Sequence, residues 1–170
     1  MDNFTGLPTY SKSLVDRINE LDRFAKSKFL PVELCNLEYC PIRGSCIIAH
    51  HDDFWIWGEN LITLNLCSDT YLTFTLPNSN DNSSIVELFL SSAQCTSAKI
   101  RVKVLLPRKS LVIVCGSARY IWLHEILRED IKEKRVAMTF RELSPKFHPN
   151  HEQGEMEEKE IGQNLLRIAL

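Results

Sequence analysis

The chain has 170 residues, of which 44% are hydrophobic, and its 20 basic and 22 acidic side chains give a formal net charge of −2. This length and composition are typical of one globular domain with a single buried core, and no apolar run approaches the ~20 residues that a membrane-spanning helix needs. The near-neutral charge excludes a globally basic surface of the kind that binds polyanions, so a nucleic-acid partner would have to meet a local basic patch.

Apolar side chains at helical spacing mark both ends of the chain. Leu14, Ile18 and Leu21 recur at intervals of three and four, which predicts an amphipathic helix over about residues 11–24. Residues 155–169 begin with glutamates and close on leucines and an isoleucine, which predicts a C-terminal helix. We expect one domain over residues 1–170, with these two helices at its flanks.

Short segments rich in β-branched and aromatic residues fill the region between the helices, and turn sequences separate most of them. Such a succession predicts an antiparallel sandwich, barrel or jelly roll. Residues 77–98 contain a polar stretch followed by an apolar one, which fits either a short amphipathic helix or an added strand. The predicted strands cover residues 60–66, 71–76, 99–106, 110–116, 118–126 and 135–143.

Six cysteines are scattered along the chain without a Cys-x-x-Cys pair, and their spacings match no common zinc module. No charged-then-apolar leader opens the sequence. We therefore expect reduced thiols in an intracellular protein.

Two histidines followed by two aspartates give two overlapping His-x-Asp pairs, His50/Asp52 and His51/Asp53. Alternate side chains of a strand share a face, so either pair would place an imidazole and a carboxylate side by side, spaced to share one metal ion. Periodicity does not decide between the two pairs.

A third metal ligand would have to come from a distant segment, and His124 is the internal candidate. Alternation over residues 118–126 would place Tyr120 and Trp122 on the same face as His124. A lone histidine in a strand is more commonly a core or rim residue. However, two histidines and a carboxylate form the facial triad of non-haem Fe(II) oxygenases, which leaves positions open for a cosubstrate and O2.

The last predicted strand, residues 135–143, alternates between two kinds of side chain. One face would carry Arg135, Ala137, Thr139 and Arg141, and the other carries apolar side chains. On the plainer interpretation the polar face is solvated, which is the commoner fate of such a stripe. On the functional interpretation it lines the mouth of the barrel, where two guanidiniums bind a dicarboxylate through paired hydrogen bonds.

These motifs, taken in order, resemble the AlkB family of Fe(II)- and 2-oxoglutarate-dependent dioxygenases. The resemblance covers most of the chain from about residue 7 onwards. It rests on the segments NLEYCPIRGS, HHDDFWIWGENLITLNL, GSARYIWLH, VAMTFRELSPKF and GQNLLRIAL. The family implies a double-stranded β-helix, or jelly roll, with iron at one open end.

The resemblance also implies roles for individual residues and resolves the doubled pair in favour of His50 and Asp52. In family members Fe(II) is bound, and catalysis supported, by the positions that correspond to His50, Asp52 and His124. The residues implied at 2-oxoglutarate are Arg135, which would hold the distal carboxylate, together with Arg141, Tyr39 and Thr139.

The chain departs from the family pattern in two respects. Ala137 stands where AlkB itself has asparagine in its Arg-x-Asn-x-Thr-x-Arg motif, so one cosubstrate contact is missing from the implied set. Family members also carry more chain before the jelly roll, including elements that grip the substrate, and we expect that N-terminal region to be missing here.

The resemblance implies oxidative N-demethylation, with O2 and 2-oxoglutarate consumed and formaldehyde released. Substrates of the nearest branch of the family include monomethyl-lysine on actin and N6-methyladenine in DNA, and the near-neutral charge favours the methylated protein over DNA. We expect a monomer in the cytoplasm and nucleus that does not associate with membranes.

Two alternative functions remain open from the sequence. One is a truncated, non-catalytic binding module that keeps the ligand set without a complete substrate site. The other is a zinc hydrolase, because Zn(II) accepts the same ligands. The paired arginines argue against the hydrolase, which has no need of a dicarboxylate anchor.

Overall fold

The computed structural model describes residues 5–77, 100–152 and 154–169. In this part of the chain eight strands form two four-stranded antiparallel sheets, with strand orders β1-β8-β3-β6 and β2-β7-β4-β5. The α-helices are α1 (Ser11–Asn19), α2 (Ser117–Tyr120) and α3 (Met156–Ala169). The strands are β1 (Pro31–Tyr39), β2 (Ile47–His50), β3 (Trp57–Leu66), β4 (Thr70–Thr75), β5 (Arg101–Leu106), β6 (Leu111–Val114), β7 (Leu123–Ile126) and β8 (Arg135–Leu143).

The chain passes repeatedly from one sheet to the other, which is the connectivity of a jelly roll. The predicted fold, mainly β with flanking helices, is therefore confirmed. Residues from both sheets, among them Leu61, Leu72 and Val114, form the buried core between them. Burial of this apolar surface is the main favourable contribution to folding.

Helices α1 and α3 pack against the first sheet. Val15 and Ile18 of α1 pack with Phe140 of β8, whose side chain is fully buried on the face opposite the sheet interface. Leu165 and Leu166 of α3 pack against a cluster at the end of the same sheet. None of the helices in the described part of the chain has the length and apolar character needed to cross a bilayer.

The N-terminal helix is shorter than the predicted range of residues 11–24. It ends at Asn19, whose side chain accepts a hydrogen bond from the backbone N–H of Phe29 (2.8 Å) and donates one to its carbonyl (3.0 Å). Leu21 is extended, and a separate 3-10 turn follows over Asp22–Phe24. These two bonds tie the end of the helix to the segment that leads into β1.

The prediction of one continuous strand over residues 118–126 is wrong. Gly116 has a φ of 56°, and the carbonyl of Ser117 accepts a hydrogen bond from the N–H of Ile121, so the chain forms the short helix α2 before β7 begins at Leu123. Tyr120 is therefore half-exposed on α2 instead of sharing a strand face with His124.

The remaining predicted strands correspond to β3, β4, β5, β6 and β8 within a few residues at their ends. The sequence did not predict β1 and β2 as separate strands. The C-terminal helix, predicted over residues 155–169, runs over Met156–Ala169. The sequence left open whether residues 77–98 form a short helix or an added strand. Residues 78–98 lie outside the described residues. The five described cysteines are all free thiols.

Candidate functional site

His50 and His124 meet as cross-strand partners. The antiparallel ladder between β2 and β7 places the two residues directly opposite each other, and their ring centroids are 4.4 Å apart. Directly opposed residues of a ladder project to the same face of a sheet. Register alone therefore brings together two histidines that are 74 positions apart in the sequence.

Asp52 completes a cluster with these histidines, although it does not lie in the strand. β2 ends at His50, so the expectation that the His-x-Asp pair shares one strand face is wrong. Asp52 is buried, and its Oδ2 lies 3.3 Å from Nε2 of His124. One ligand atom from each of the three residues lies within 4.8 Å of the others. Two imidazoles and one carboxylate at this spacing could hold a divalent first-row metal ion.

A backbone hydrogen bond orients His50 for such a role. Its Nδ1 lies 2.8 Å from the carbonyl oxygen of Ile48. A carbonyl only accepts hydrogen bonds, so Nδ1 carries the proton in the neutral ring, and the lone pair on Nε2 is left free for a metal.

Arg141 orients the Asp52 carboxylate. Its Nε and Nη2 donate to Oδ1 of Asp52 at 2.8 and 2.7 Å, while Nη1 donates to Glu33 at 2.6 Å. Burial disfavours the ionised carboxylate, but the hydrogen bond from His124 and the charge of Arg141 outweigh it and hold the pKa of Asp52 well below its usual range. Asp52 is therefore an anion at neutral pH, and Arg141 binds its Oδ1 while Oδ2 faces His124.

A cavity of about 70 Å³ extends from this cluster between the two sheets. The face of β8 that carries Arg135, Ala137, Thr139 and Arg141 lines it, so the interpretation of this face as solvated is wrong. Tyr39 also lines the cavity, as the cross-strand partner of Arg135 in the β1–β8 ladder.

Arg135 is a buried cation that has no anionic partner among the described residues. Its side chain is 2% exposed, its Nε donates to Oδ1 of Asn65 at 2.6 Å, and it lies 4.6 Å from the centroid of the Tyr39 ring. Its Nη1 has no hydrogen-bond partner among the described residues. Burial lowers the pKa of Arg135, and hydrogen bonding to Tyr39 only partly opposes this. An isolated buried charge is costly, so this environment favours an anionic ligand.

Comparison with known proteins gives the chain its family. The chain matches no family model. It is 39% identical over 180 residues to the human protein named alpha-ketoglutarate-dependent dioxygenase alkB homolog 4, with 99% of this chain and 57% of that protein covered. The chain belongs to the AlkB family. The mouse protein of the same name is 38% identical over 181 residues, with 100% of this chain and 58% of that protein covered.

A more distant AlkB relative has a name that specifies a substrate. The Caenorhabditis elegans protein named DNA N6-methyl adenine demethylase is 35% identical over 168 residues, with 99% of this chain and 50% of that protein covered. The chain thus spans about half the length of the curated AlkB relatives that it matches.

The second His-x-Asp pair of this AlkB chain lies apart from the cluster. The ring of His51 lies 5.1 Å from that of Phe54, and burial lowers the pKa of His51. The side chain of Asp53 is exposed, and its backbone carbonyl accepts a hydrogen bond from the N–H of Trp57. Of the two pairs, the structure brings only His50 and Asp52 together with His124.

Sequence reasoning missed two polar residues that support the AlkB site. Arg119 on α2 is 1% exposed, and Asn65 on β3 is fully buried. Arg119 was missed because its segment was predicted to be a strand. Asn65 was missed because it stands in an apolar strand and belongs to no motif. A buried arginine or asparagine must find hydrogen-bond partners, but sequence does not say which ones.

Proposed function

We propose that the chain is an Fe(II)- and 2-oxoglutarate-dependent dioxygenase that removes methyl groups from nitrogen. We propose monomethyl-lysine on a protein such as actin as its substrate. The observation that carries the proposal is the position of Arg135. This buried guanidinium has no anionic partner in the described part of the chain, and it lines the same cavity as the cluster of His50, Asp52 and His124.

The donor set fits Fe(II). Two neutral imidazoles and one carboxylate occupy one side of such an ion and leave other coordination positions for small ligands. Asp52 is anionic, as a metal ligand must be, and the contact of His50 Nδ1 with the carbonyl of Ile48 makes Nε2 the nitrogen available to a metal.

The cavity lining offers a partner for each end of 2-oxoglutarate. Its 2-oxo acid end would lie at the metal cluster, and its distal carboxylate would receive hydrogen bonds from Arg135. A guanidinium binds a carboxylate through two parallel hydrogen bonds, which fixes direction as well as position. Thr139, whose Oγ1 lies 2.9 Å from that of Thr63, presents a further hydroxyl on the cavity wall.

Bound Fe(II) would supply the O2-dependent oxidation of 2-oxoglutarate to succinate and CO2, coupled to hydroxylation of an N-methyl group that then leaves as formaldehyde. The residues of the chain would bind and orient the metal and the cosubstrate, and they would exclude water. Apolar side chains of both sheets, including Leu61, Leu72 and Val114, line the cavity around the polar groups. Their role is to keep bulk water from the reacting atoms.

Two considerations bear on the substrate. The net charge of −2 favours a protein over the DNA backbone, whose recognition relies on basic surface. N6-methyladenine in DNA is the second candidate, since a relative at 35% identity is named for that activity. Both substrates present a methyl group on nitrogen, so the same oxidation serves either.

The test of cofactor binding is spectroscopic. Full-length protein mixed anaerobically with Fe(II) and 2-oxoglutarate should develop the visible metal-to-ligand charge-transfer band of this enzyme class. Asp52→Ala should lose the band, whereas Asp53→Ala, an exposed neighbour, should keep it. A well-folded wild-type protein without the band would overturn the proposal.

The test of substrate is formaldehyde release from two matched sets. Monomethyl-lysine peptides, including an actin sequence, are compared with N6-methyladenine oligonucleotides, each beside its unmethylated form. We expect release from the peptides. Release from the oligonucleotides alone would indicate that DNA, and not a protein, is the substrate. Binding of a peptide or an oligonucleotide without release of succinate or formaldehyde would indicate the non-catalytic binding module.

A further inference from the structure

Asn65 occupies the end of the cavity face of β3, directly opposite Ala137 in the β3–β8 ladder. The side chain is fully buried. Its Nδ2 lies within hydrogen-bond distance of the carbonyls of Ser68 (2.9 Å), Leu106 (2.9 Å) and Pro107 (3.0 Å). Its Oδ1 accepts the 2.6 Å bond from Nε of Arg135.

These partners fix the orientation of the amide. Three carbonyl oxygens surround one terminal atom and a guanidinium N–H faces the other, so exchange of the oxygen and nitrogen would place donors against donors and acceptors against acceptors. Asn65 is thereby held by the turns after β3 and β5, and it presents a single oxygen to Arg135.

The guanidinium of Arg135 is constrained in two directions. The bond to Asn65 occupies the Nε position on one edge, and the ring of Tyr39 lies against its face at 4.6 Å from the centroid. A planar guanidinium can bind a carboxylate either along the Nε edge or through its two terminal nitrogens. Because Nε is engaged, a carboxylate would meet the terminal nitrogens, of which Nη1 lacks a hydrogen-bond partner among the described residues.

We infer that Asn65 is a positioning residue that directs Arg135 towards the distal carboxylate of a 2-oxo dicarboxylic acid, an inference that rests on the proposed function. An amide is suited to this task because it satisfies the Nε donor without neutralising the guanidinium. An aspartate at the same place would form the same hydrogen bond and would also compete with the ligand for the positive charge. Asn65 therefore contributes to selectivity for dicarboxylic over monocarboxylic 2-oxo acids.

The test measures binding instead of turnover. Full-length protein loaded with Mn(II) under nitrogen is titrated with 2-oxoglutarate and, separately, with pyruvate, which has the same 2-oxo acid end but no distal carboxylate. Calorimetry gives both dissociation constants and their ratio. The variants are Asn65→Ala, which removes the contact to Arg135, and Asn65→Asp, which keeps an oxygen there and adds a charge.

We expect Asn65→Ala to reduce the preference for 2-oxoglutarate over pyruvate about tenfold, the scale of one hydrogen bond to a charged group. Asn65→Asp should reduce it further, although its oxygen is retained. Pyruvate binding should change little in either variant, which a general loss of structure would not produce.

The matched control is Thr70→Val. Thr70 is 2% exposed, pairs with Leu106 in the β4–β5 ladder and donates a hydrogen bond to the carbonyl of Asp130. Thr70→Val should lower the melting temperature and leave the ratio of the two dissociation constants, for 2-oxoglutarate and pyruvate, unchanged.

The outcomes separate the two proposals. A wild-type ratio in both Asn65 variants overturns the role of Asn65 and leaves the proposed function intact. A wild-type protein that binds no 2-oxoglutarate overturns the proposed function and this inference with it. Aspartate would turn its second oxygen towards the three carbonyls, so Asn65→Ser is the variant to use if neither of the others folds. Its hydroxyl can donate to one carbonyl but is one bond shorter than the amide that contacts Nε of Arg135, and an unchanged ratio in Asn65→Ser would overturn the role of Asn65.

Discussion

Arg119 donates a hydrogen bond of 2.7 Å from Nη1 to the backbone carbonyl of Asp52. The same guanidinium also reaches the carbonyls of Gly58 and Asp53, each at 3.4 Å. Arg119 lies beneath the rings of Phe54 and Tyr120, at 4.8 and 5.4 Å from their centroids. One buried side chain on α2 therefore holds the loop that carries a candidate metal ligand.

We predict that Arg119→Lys weakens Mn(II) binding by about tenfold, the lower end of the effect seen when a group that orients a metal ligand is removed. Lysine cannot reach three carbonyls with a planar fork, so the loop at Asp52 should lose its fixed position. Competition with a metal-sensitive dye measures the affinity. Arg17→Lys, an exposed position on α1, is the control, and equal affinities for both variants would contradict the role.

Replacement of the two adjacent histidines should have opposite results. His50→Ala should abolish Mn(II) binding, because it removes a ligand atom from a cluster of three. His51→Ala should retain it, because His51 packs beside Phe54. The loss of the aqueous Mn(II) signal in electron paramagnetic resonance reports binding directly. Loss of binding in both variants, with folds intact, would disprove the assignment of the first pair.

Glu142 should make stability depend on pH in a defined direction. Burial raises the pKa of Glu142, although the backbone N–H and side chain of Asn60 both donate to its Oε1. A carboxyl with a raised pKa in the folded state stabilises that state below its unfolded pKa, and this contribution is lost as the pH rises through the folded pKa.

We therefore predict that Glu142→Gln raises the melting temperature at pH 7.5, by roughly 2 °C. Glutamine keeps one acceptor oxygen for Asn60 and removes the buried charge. The difference from wild type should disappear near pH 4. Glu160→Gln, an exposed change on α3, should show no such pattern in thermal scans across this pH range, and a uniform difference at every pH would contradict the assignment to Glu142.

Gly162 should resist the usual stabilisation of a helix by alanine. Gly162→Ala in an open helix stabilises by ~0.5–1 kcal/mol, but here an added Cβ would overlap the carbonyl of Phe147, on which α3 packs. We predict a net loss of ~1–3 kcal/mol in the free energy of unfolding. Urea titration measures it. Asn164→Ala, on the exposed side of the same helix, should stabilise slightly, and a gain at both positions would mean that α3 does not pack this closely.

The strand β8 shows what the alternation of polar and apolar residues can and cannot predict. Residues 135–143 were predicted as a strand with one polar and one apolar face, and β8 has those bounds. The pattern did not decide whether the polar face is solvated or lines a cavity. That depends on the second sheet, which covers Arg135 and Ala137 to 2% exposure.

The segment before β7 shows where local preference failed. Aromatic and β-branched residues favour a strand in isolation. In the structure the N–H of Gly116 donates to Glu59 at 2.7 Å, and Arg119 is buried against the loop at Asp52. These contacts join residues that are more than 50 positions apart and stabilise a helical turn that the local sequence does not favour.

The sequence by itself determined a mainly β fold with helical ends. Its resemblance to AlkB proteins indicated the jelly roll and predicted His50, Asp52, His124 and Arg135 as site residues. Periodicity and short motifs carry this information because each depends on neighbouring residues. Only the tertiary structure decided that Asp52 lies beyond its strand and that Arg135 is a buried cation with no anion beside it in the residues described. It also decided that Arg119 contacts the loop at Asp52 and that Asn65 contacts Arg135. Those features arise from strand register and from the need of buried polar groups for partners, which residues distant in the sequence supply.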